Sequence, residues 1–211
     1  IRLLTDSLLQ ADHMDGETAR EFLNDIGDEA DRLTRITEKL LTLTRLDTAP
    51  AAEDVPVDVG AVVERVEHML SPLARAVEVS LELKLQPGCV VLATEDDLYQ
   101  IAFNLMENAV KYNLPGGRVL VTLTADGGRV VLRVEDTGVG IPEADLPKIF
   151  DRFYRVDKAR SRAAGGTGLG LSIVRDTVLQ HGGAVTARRR EPEGTCFEVS
   201  FAQWNGEEVG R

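Results

Sequence analysis

A carboxylate followed by two glycines is the first place in this sequence with residue types suited to ligand recognition. Asp136 follows an apolar run at residues 130–134, which predicts a strand that ends at the carboxylate. Gly138 and Gly140 come next, and because glycine has no Cβ, the backbone there can turn sharply and lie against a flat ligand. The carboxylate could then accept a hydrogen bond from an N–H group of that ligand. A hairpin turn in which the aspartate caps its own backbone is the alternative.

A second group of polar residues lies along one face of a helix predicted at residues 95–112. Asn104, Asn108 and Lys111 are spaced i, i+4 and i+7, so their side chains share that face. Amide oxygens are hard ligands for Mg²⁺, and a lysine offers a point charge to phosphate. The pattern favours a site for a metal–phosphate group, although a solvated polar face would produce the same spacing.

The third group is a glycine-rich loop at residues 165–171 that precedes another predicted helix. Its glycines free a run of backbone N–H groups beside the positive end of the helix dipole, which is suited to binding phosphate. No Gly-Lys-Ser/Thr follows, so the loop is not a P-loop. The basic segment at 152–162 lies between this loop and Asp136, and it predicts either a lid over phosphates or a solvated basic loop.

Composition narrows the function classes. The 211 residues carry a formal net charge of −11, which argues against a nucleic-acid partner. Cys89 and Cys196 are far apart in sequence, which predicts reduced core thiols in a cytosolic setting and no zinc site. No run of 18 apolar residues is present, so we expect no direct membrane contact by this fragment.

The pattern of elements predicts an α-helical hairpin at residues 1–49, a linker at 50–57, a domain at 58–203 and a tail at 204–211. The long second helix, at 17–47, has a broad apolar face, which favours a homodimer through a four-helix bundle over packing on the downstream domain. In the domain, strands in hairpin pairs alternate with helices, which predicts an α+β fold with a mixed, mostly antiparallel sheet and helices on one face. We expect strands at 77–85, 89–92, 119–124, 129–135, 184–190 and 195–201, and helices at 59–74, 95–112, 143–150 and 168–181.

Five motifs in order give the sequence a resemblance to a known family. They are Asn-x-x-x-Asn-x-x-Lys-Tyr, Asp-x-Gly-x-Gly-Ile, Phe-Asp-Arg-Phe-Tyr-Arg, Gly-Thr-Gly-Leu-Gly-Leu and a late Gly-Thr, spread over residues 104–195. They resemble the N, G1, F, G2 and G3 boxes of bacterial sensor histidine kinases, within the superfamily that includes gyrase, Hsp90 and MutL. The resemblance covers about residues 55–203 and implies a Bergerat-type α/β sandwich, with residues 1–47 similar to part of the dimerisation hairpin.

The resemblance implies ATP and Mg²⁺ as cofactors and assigns roles to individual residues. Asp136 would accept the adenine amino group, and Tyr112 would lie beside the adenine. Asn108 would hold Mg²⁺ with Asn104 nearby, and Lys111 would approach the phosphates. With Glu107 as a carboxylate near the metal, the residues expected at the chemistry are Asn104, Glu107 and Lys111. The other expected nucleotide contacts are Gly138, Gly140, Ile141, Phe150, Phe153, Thr167, Gly168, Leu169, Gly170, Leu171 and Thr195.

The implied reaction is phosphoryl transfer from ATP to a histidine and then to an aspartate on the receiver domain of a response regulator. The family's acceptor box is absent from this sequence, so we expect the acceptor before Ile1 and no autophosphorylation by this fragment. His13, His68 and His181 do not fit that box. The resemblance also implies a cytoplasmic fragment whose parent is anchored in the bacterial inner membrane.

Two other functions remain as alternatives to a kinase. One is an ATPase or conformational switch of the gyrase or Hsp90 type, and the other is a non-catalytic nucleotide-binding dimerisation module. Relatives that hydrolyse ATP have a water-activating glutamate where this sequence has Asn104, and an amide cannot act as that base. This difference favours the kinase.

Overall fold

The structure is a computed structural model that describes residues 16, 18, 20–27, 29–30, 33–34, 37, 53–157 and 167–206. The chain divides into two compact units, Ile1–Arg45 and Leu46–Arg211. In the first unit the described residues are helical, as expected for the helix predicted at 17–47, whereas the helix predicted at 1–10 lies outside them. Leu23 and Leu33, on the apolar face of that helix, are 60% and 46% exposed in the single chain.

Among the residues that the structure describes, the second unit alternates short strands with three helices. Their bounds are β1 Val55–Asp58, α1 Val59–Ala76, β2 Ser80–Leu85, β3 Val90–Ala93, α2 Glu95–Lys111, β4 Arg118–Asp126, β5 Arg129–Asp136, a 3-10 turn Leu146–Lys148, α3 Gly170–Gln180, β6 Ala184–Arg189 and β7 Thr195–Ala202. Within the described part of the chain, no helix is both long and apolar enough to cross a membrane.

The main sheet has five strands in the order β2-β4-β5-β7-β6. Only the β2–β4 pair is parallel, and the other three pairs are antiparallel. Alternate residues of β4 and β5 are buried, and they share one core with the apolar faces of the helices. The other face carries cross-strand charge pairs such as Arg133–Glu198, with Nη2 2.7 Å from Oε2. The expected α+β fold with a mixed, mostly antiparallel sheet is therefore confirmed.

Three elements differ from the sequence expectation. The end of the expected linker at 50–57 is a strand, because β1 pairs with β3 in a two-stranded sheet, where an edge position tolerates Pro56. The strand expected at 77–85 begins at Ser80, since α1 is capped at Val77 and Glu78 has φ 58°. The helix expected at 143–150 is only a 3-10 turn, because Pro147 disfavours α-helical geometry at the residue before it.

Candidate functional site

Asp136 ends β5 as a buried carboxylate, with 6% of the residue exposed. Its Oδ1 accepts hydrogen bonds from the backbone N–H groups of Gly138, at 2.9 Å, and Thr195, at 3.2 Å. Burial raises the pKa of this carboxyl above its ordinary value, and the two amides and the charge of Arg190 oppose that rise. Thr195 is 59 residues away in sequence, so Asp136 does more than cap its own turn.

The turn after Asp136 lies against two other segments at distances that leave no room for side chains. A Cβ on Gly138 would lie 2.3 Å from the carbonyl oxygen of Tyr112, at the end of α2. A Cβ on Gly194 would lie 1.9 Å from the carbonyl oxygen of Asp136. These glycines bring the β5 end, the α2 end and the β6–β7 turn together around one carboxylate. Gly194 is the glycine of the late Gly-Thr motif.

Thr94 caps the N-terminus of helix α2, because the Asp97 N–H donates to Thr94 Oγ1 at 3.1 Å. Asn104, two turns further along, is 5% exposed, and its Nδ2 donates to the carbonyl of Gln100 at 2.8 Å. Its Oδ1 faces α3, since a Cβ on Gly170 would lie 2.7 Å from that oxygen. A buried amide directed at the neighbouring helix is not part of a solvated polar face.

Lys111 and Glu107 form an ion pair near the C-terminal end of α2. Lys111 Nζ lies 2.8 Å from Glu107 Oε1, and the two side chains are 26% and 18% exposed. Glu107 is therefore half-buried and paired with a lysine. Asn108 lies on the same helix and is also half-buried.

The glycine-rich loop delivers backbone groups to the start of α3. Gly168 has φ 74°, a conformation that favours glycine, and its carbonyl accepts a hydrogen bond from the Phe153 N–H at 2.8 Å. Leu169 is fully buried at the N-cap position and has no polar side-chain atom to satisfy the first turn of α3. The first amides of α3 are thus suited to an anionic ligand.

The basic segment between the two glycine motifs is anchored where the structure describes it. Tyr154 Oη donates to Asp145 Oδ1 at 2.6 Å, and Arg152 Nη2 lies 3.0 Å from Asp176 Oδ2 on α3. Phe150 is half-buried against the core, but the ring of Phe153 is 59% exposed, so Phe153 holds Gly168 by its backbone and not by its ring. Residues 158–166, the rest of the expected lid, lie outside the described residues.

The expected site residues that remain lie near these contacts in the chain. Ile141, Tyr112, Thr167 and Leu171 are half-buried, and Thr195 is buried. The Thr167 hydroxyl accepts a hydrogen bond from the Leu169 N–H at 3.3 Å. The N, G1, G2 and G3 motifs are linked by the contacts Gly138–Tyr112, Gly194–Asp136 and Gly170–Asn104.

Sequence reasoning missed two charged features of this unit. Arg190, directly after β6, acts on Asp136 by its charge, and no motif marked it. His181 lies between Asp97 and Asp54, which sequence patterns had assigned to a helix cap and a linker. Among the residues that the structure describes, no three His, Cys, Asp or Glu side chains are grouped to hold a metal ion.

Comparison with known proteins identifies the family. Residues 93–204 match the family described as Histidine kinase-, DNA gyrase B-, and HSP90-like ATPase, and this chain belongs to it. The Sensor-like histidine kinase SenX3 of Mycolicibacterium smegmatis is 34% identical over 203 residues, which cover 96% of this chain and 53% of that protein. The expected homology to sensor histidine kinases is confirmed. The chain spans about half the length of the curated relatives it matches.

Two solved structures are similar to the whole chain. Full-length ShkA, solved in complex with AMPPNP, is 30% identical with a TM-score of 0.73, covering 92% of this chain and 41% of that one. Histidine kinase ThkA, solved in complex with response regulator protein TrrA, has a TM-score of 0.77 at 22% identity, covering 96% of this chain and 57% of that one. At 22% identity, the similarity to ThkA shows a common fold only.

Proposed function

We propose that this chain is the kinase core of a sensor histidine kinase, which binds ATP with Mg²⁺ and transfers its γ-phosphoryl group to a histidine on a dimerisation domain. The observation that carries the proposal is the buried carboxylate of Asp136, held by two backbone amides that both donate to Oδ1. Oδ2 is the oxygen that we expect to accept the N–H of a ligand. A carboxyl group whose ionised form is disfavoured by burial is typical of a binding site.

The chemistry of the side chains fits a metal-bound triphosphate. The Asn104 amide donates through Nδ2 to its own helix, which leaves Oδ1, a hard ligand atom, toward α3. We infer that Asn108 holds the metal with Asn104 beside it, and that the first amides of α3 donate to phosphate oxygens. Bound ATP supplies the phosphoryl group, and these residues orient it and neutralise its charge.

Lys111 would have to exchange or share its partner when phosphates bind. Its ammonium group lies 2.8 Å from the Glu107 carboxylate, which occupies the position of an anion. The same pair weakens the ATPase alternative, because Glu107 is engaged by a lysine and Asn104 has no basic group. Steady ATP hydrolysis that disappears in Glu107→Gln would favour that alternative.

Among the residues that the structure describes, no histidine fits the role of phosphoryl acceptor. His181 is buried, with both ring nitrogens beside carboxylates, and His68 is exposed on α1 without the acceptor motif. We therefore propose that the acceptor precedes residue 1 on the dimerisation hairpin of a longer, membrane-anchored protein, and that a receiver domain of a response regulator takes the phosphoryl group from it. The proposed units are a partial hairpin at 1–49, a linker that ends in β1, and a cytoplasmic ATP-binding domain at 58–203.

ATP labelled at the γ-phosphate tests this proposal. The chain alone should bind the nucleotide and acquire no label, whereas a version extended upstream through the hairpin should acquire acid-labile label. Asp136→Asn in the extended version should strongly slow the labelling at ATP concentrations below saturation. Label on His68 or His181 of this chain, or release of free phosphate with no labelled protein, would contradict the proposal.

A further inference from the structure

His181, at the C-terminal cap of α3, is enclosed by two carboxylates from other elements. Its side chain is only 2% exposed. The Nε2 atom lies 2.9 Å from Oδ2 of Asp97, in the first turn of α2. On the other side of the ring, Nδ1 lies 3.1 Å from Oδ1 of Asp54, directly before β1. This cluster of His181, Asp97 and Asp54 is outside the proposed nucleotide site.

Two carboxylate neighbours determine the protonation of this ring. Nε2 makes a hydrogen bond with Asp97, an ionised acceptor, whereas Nδ1 is buried and lies at ion-pair distance from the partly exposed Asp54 without hydrogen-bond geometry. A neutral ring that carries its only N–H on Nε2 would turn the lone pair of Nδ1 toward the Asp54 carboxylate. An imidazolium has an N–H on each side. The hydrogen bond that the ring donates to Asp97 is the main cause that raises the pKa of His181, with Asp54 adding to it and burial opposing it. Conversely, the hydrogen bond to His181 is the main cause that lowers the pKa of Asp97.

The cluster also connects the two helices that carry the proposed site. At one end of the pair, Gly170 of α3 packs against the Asn104 amide of α2. At the other end, His181 meets Asp97, which is seven residues before Asn104 and therefore about 10 Å along α2. The earlier residue of α3, Gly170, contacts the later residue of α2, Asn104, and the order is reversed at the His181–Asp97 contact. The two helices are therefore antiparallel. One contact near the glycine loop and one at the far end together fix how α3 lies along α2.

We propose that His181, as an imidazolium between Asp97 and Asp54, is a positioning residue that holds α2 and α3 in the register that nucleotide binding requires. The inference rests on the proposed function, in which the glycine loop and Asn104 bind the same nucleotide. His181 acts through Asp97 and the helices and does not touch the nucleotide. Removing its charge should loosen α3 against α2 and misalign the Gly170 amide with Asn104.

The pH dependence follows from the charges that contact the ring, which are Asp97 from α2 and Asp54 from the segment before β1. Because the pKa of His181 is raised on folding, its stabilising contribution is complete below about pH 6.5 and is lost as the pH rises through the folded value. Because the pKa of Asp97 is lowered, its contribution is lost as the pH falls below about 4 toward the folded value. Nucleotide affinity should therefore weaken on the alkaline side.

The experiment compares wild type with His181→Gln and Asp97→Asn, using His68→Gln as the matched control at an exposed position. Calorimetry with Mg-ADP from pH 6 to 9 should show His181→Gln binding about twofold to thirtyfold more weakly below the His181 pKa, as for coupling through a packed network. The difference in Mg-ADP affinity between His181→Gln and wild type should become smaller as the pH rises. Titration of the phosphates is common to all four proteins and cancels in the comparison.

A second readout does not depend on the nucleotide. Imidazole NMR of the nucleotide-free chain should give a titration above the ordinary histidine range that His181→Gln removes and His68→Gln retains. If His181 titrates at or below that range, or if His181→Gln binds Mg-ADP like wild type at every pH, the inference is wrong. If wild type binds no nucleotide at all, the proposed function fails, and the NMR titration then decides whether the charged cluster exists.

Discussion

At the scale of single residues, the stability of the fold and ligand binding place opposite demands on Asp136. Burial disfavours its ionised form, but only the ionised carboxylate can accept a hydrogen bond through both oxygens. Asparagine has the same shape and keeps an oxygen for the Gly138 and Thr195 amides. It also puts an N–H₂ group where we expect the donor of the ligand.

Asp136→Asn should therefore raise the unfolding temperature of the nucleotide-free chain at pH 7. Because the pKa of Asp136 is raised on folding, the wild-type carboxyl loses stability as the pH rises through its folded value, and asparagine does not. In thermal unfolding scans from pH 4 to 8, the difference in unfolding temperature between Asp136→Asn and wild type should become smaller as the pH falls. A variant less stable than wild type at pH 7 would mean that the buried carboxylate is structural.

Lys111 provides a residue-scale test of the phosphate end. Lys111→Gln should weaken Mg-ATP binding by about 1.5–3 kcal/mol, the range for a hydrogen bond to a charged group, and leave adenosine binding unchanged. Lys84→Gln, at an exposed lysine paired with Glu82 on β2, is the matched control. If Lys111→Gln lost equal affinity for ATP and for adenosine, Lys111 would act near the adenine and not at the phosphates.

At the scale of elements, the site depends on how closely α3 approaches α2. Gly170→Ala puts a methyl group 2.7 Å from Oδ1 of Asn104, a buried amide that is held because its Nδ2 donates to the Gln100 carbonyl. We expect about tenfold or greater loss of Mg-ADP affinity, since displacing one polar contact to a charged ligand is worth at least about 1.5 kcal/mol. The unfolding temperature should also fall, because the buried Asn104 amide must shift to admit the methyl group.

Gly27→Ala is the control for this helix substitution, as a Cβ at Gly27 meets nothing within 4 Å. It should leave affinity unchanged and stabilise its helix by up to about 1 kcal/mol. If Gly170→Ala binds Mg-ADP as tightly as wild type, the Asn104–Gly170 contact has no role in binding.

Local patterns in the sequence were sufficient to predict most elements. The hairpin of β4 and β5 and the polar spacing along α2 depend on residues close together in the chain, so the sequence displays them directly. The parallel β2–β4 pair and the His181 cluster join segments far apart in the chain, and no local pattern encodes such partners. The 3-10 turn at Leu146–Lys148 reflects Pro147, whose effect was underestimated.

At the scale of the whole molecule, the exposed leucines of the first unit predict self-association. Leu23 and Leu33 lie on one helix face, and burying them against a second copy would complete an apolar core. Sedimentation should give a dimer for the chain and a monomer for the double variant Leu23→Glu with Leu33→Glu. Met69→Glu, at a side chain that is 61% exposed on α1, is the control and should remain dimeric. A monomeric wild type would contradict the predicted bundle.

Asp136 is proposed to select a nucleotide for phosphoryl transfer, and calorimetric titration of the chain with Mg-ATP tests this role most directly. Wild type and Asp126→Asn, a matched change at the exposed end of β4, should bind one nucleotide per chain with equal affinity. Asp136→Asn should bind about 1–3 kcal/mol more weakly, as expected for the loss of a buried hydrogen bond. Equal binding by all three proteins, or no binding by wild type, would contradict the account.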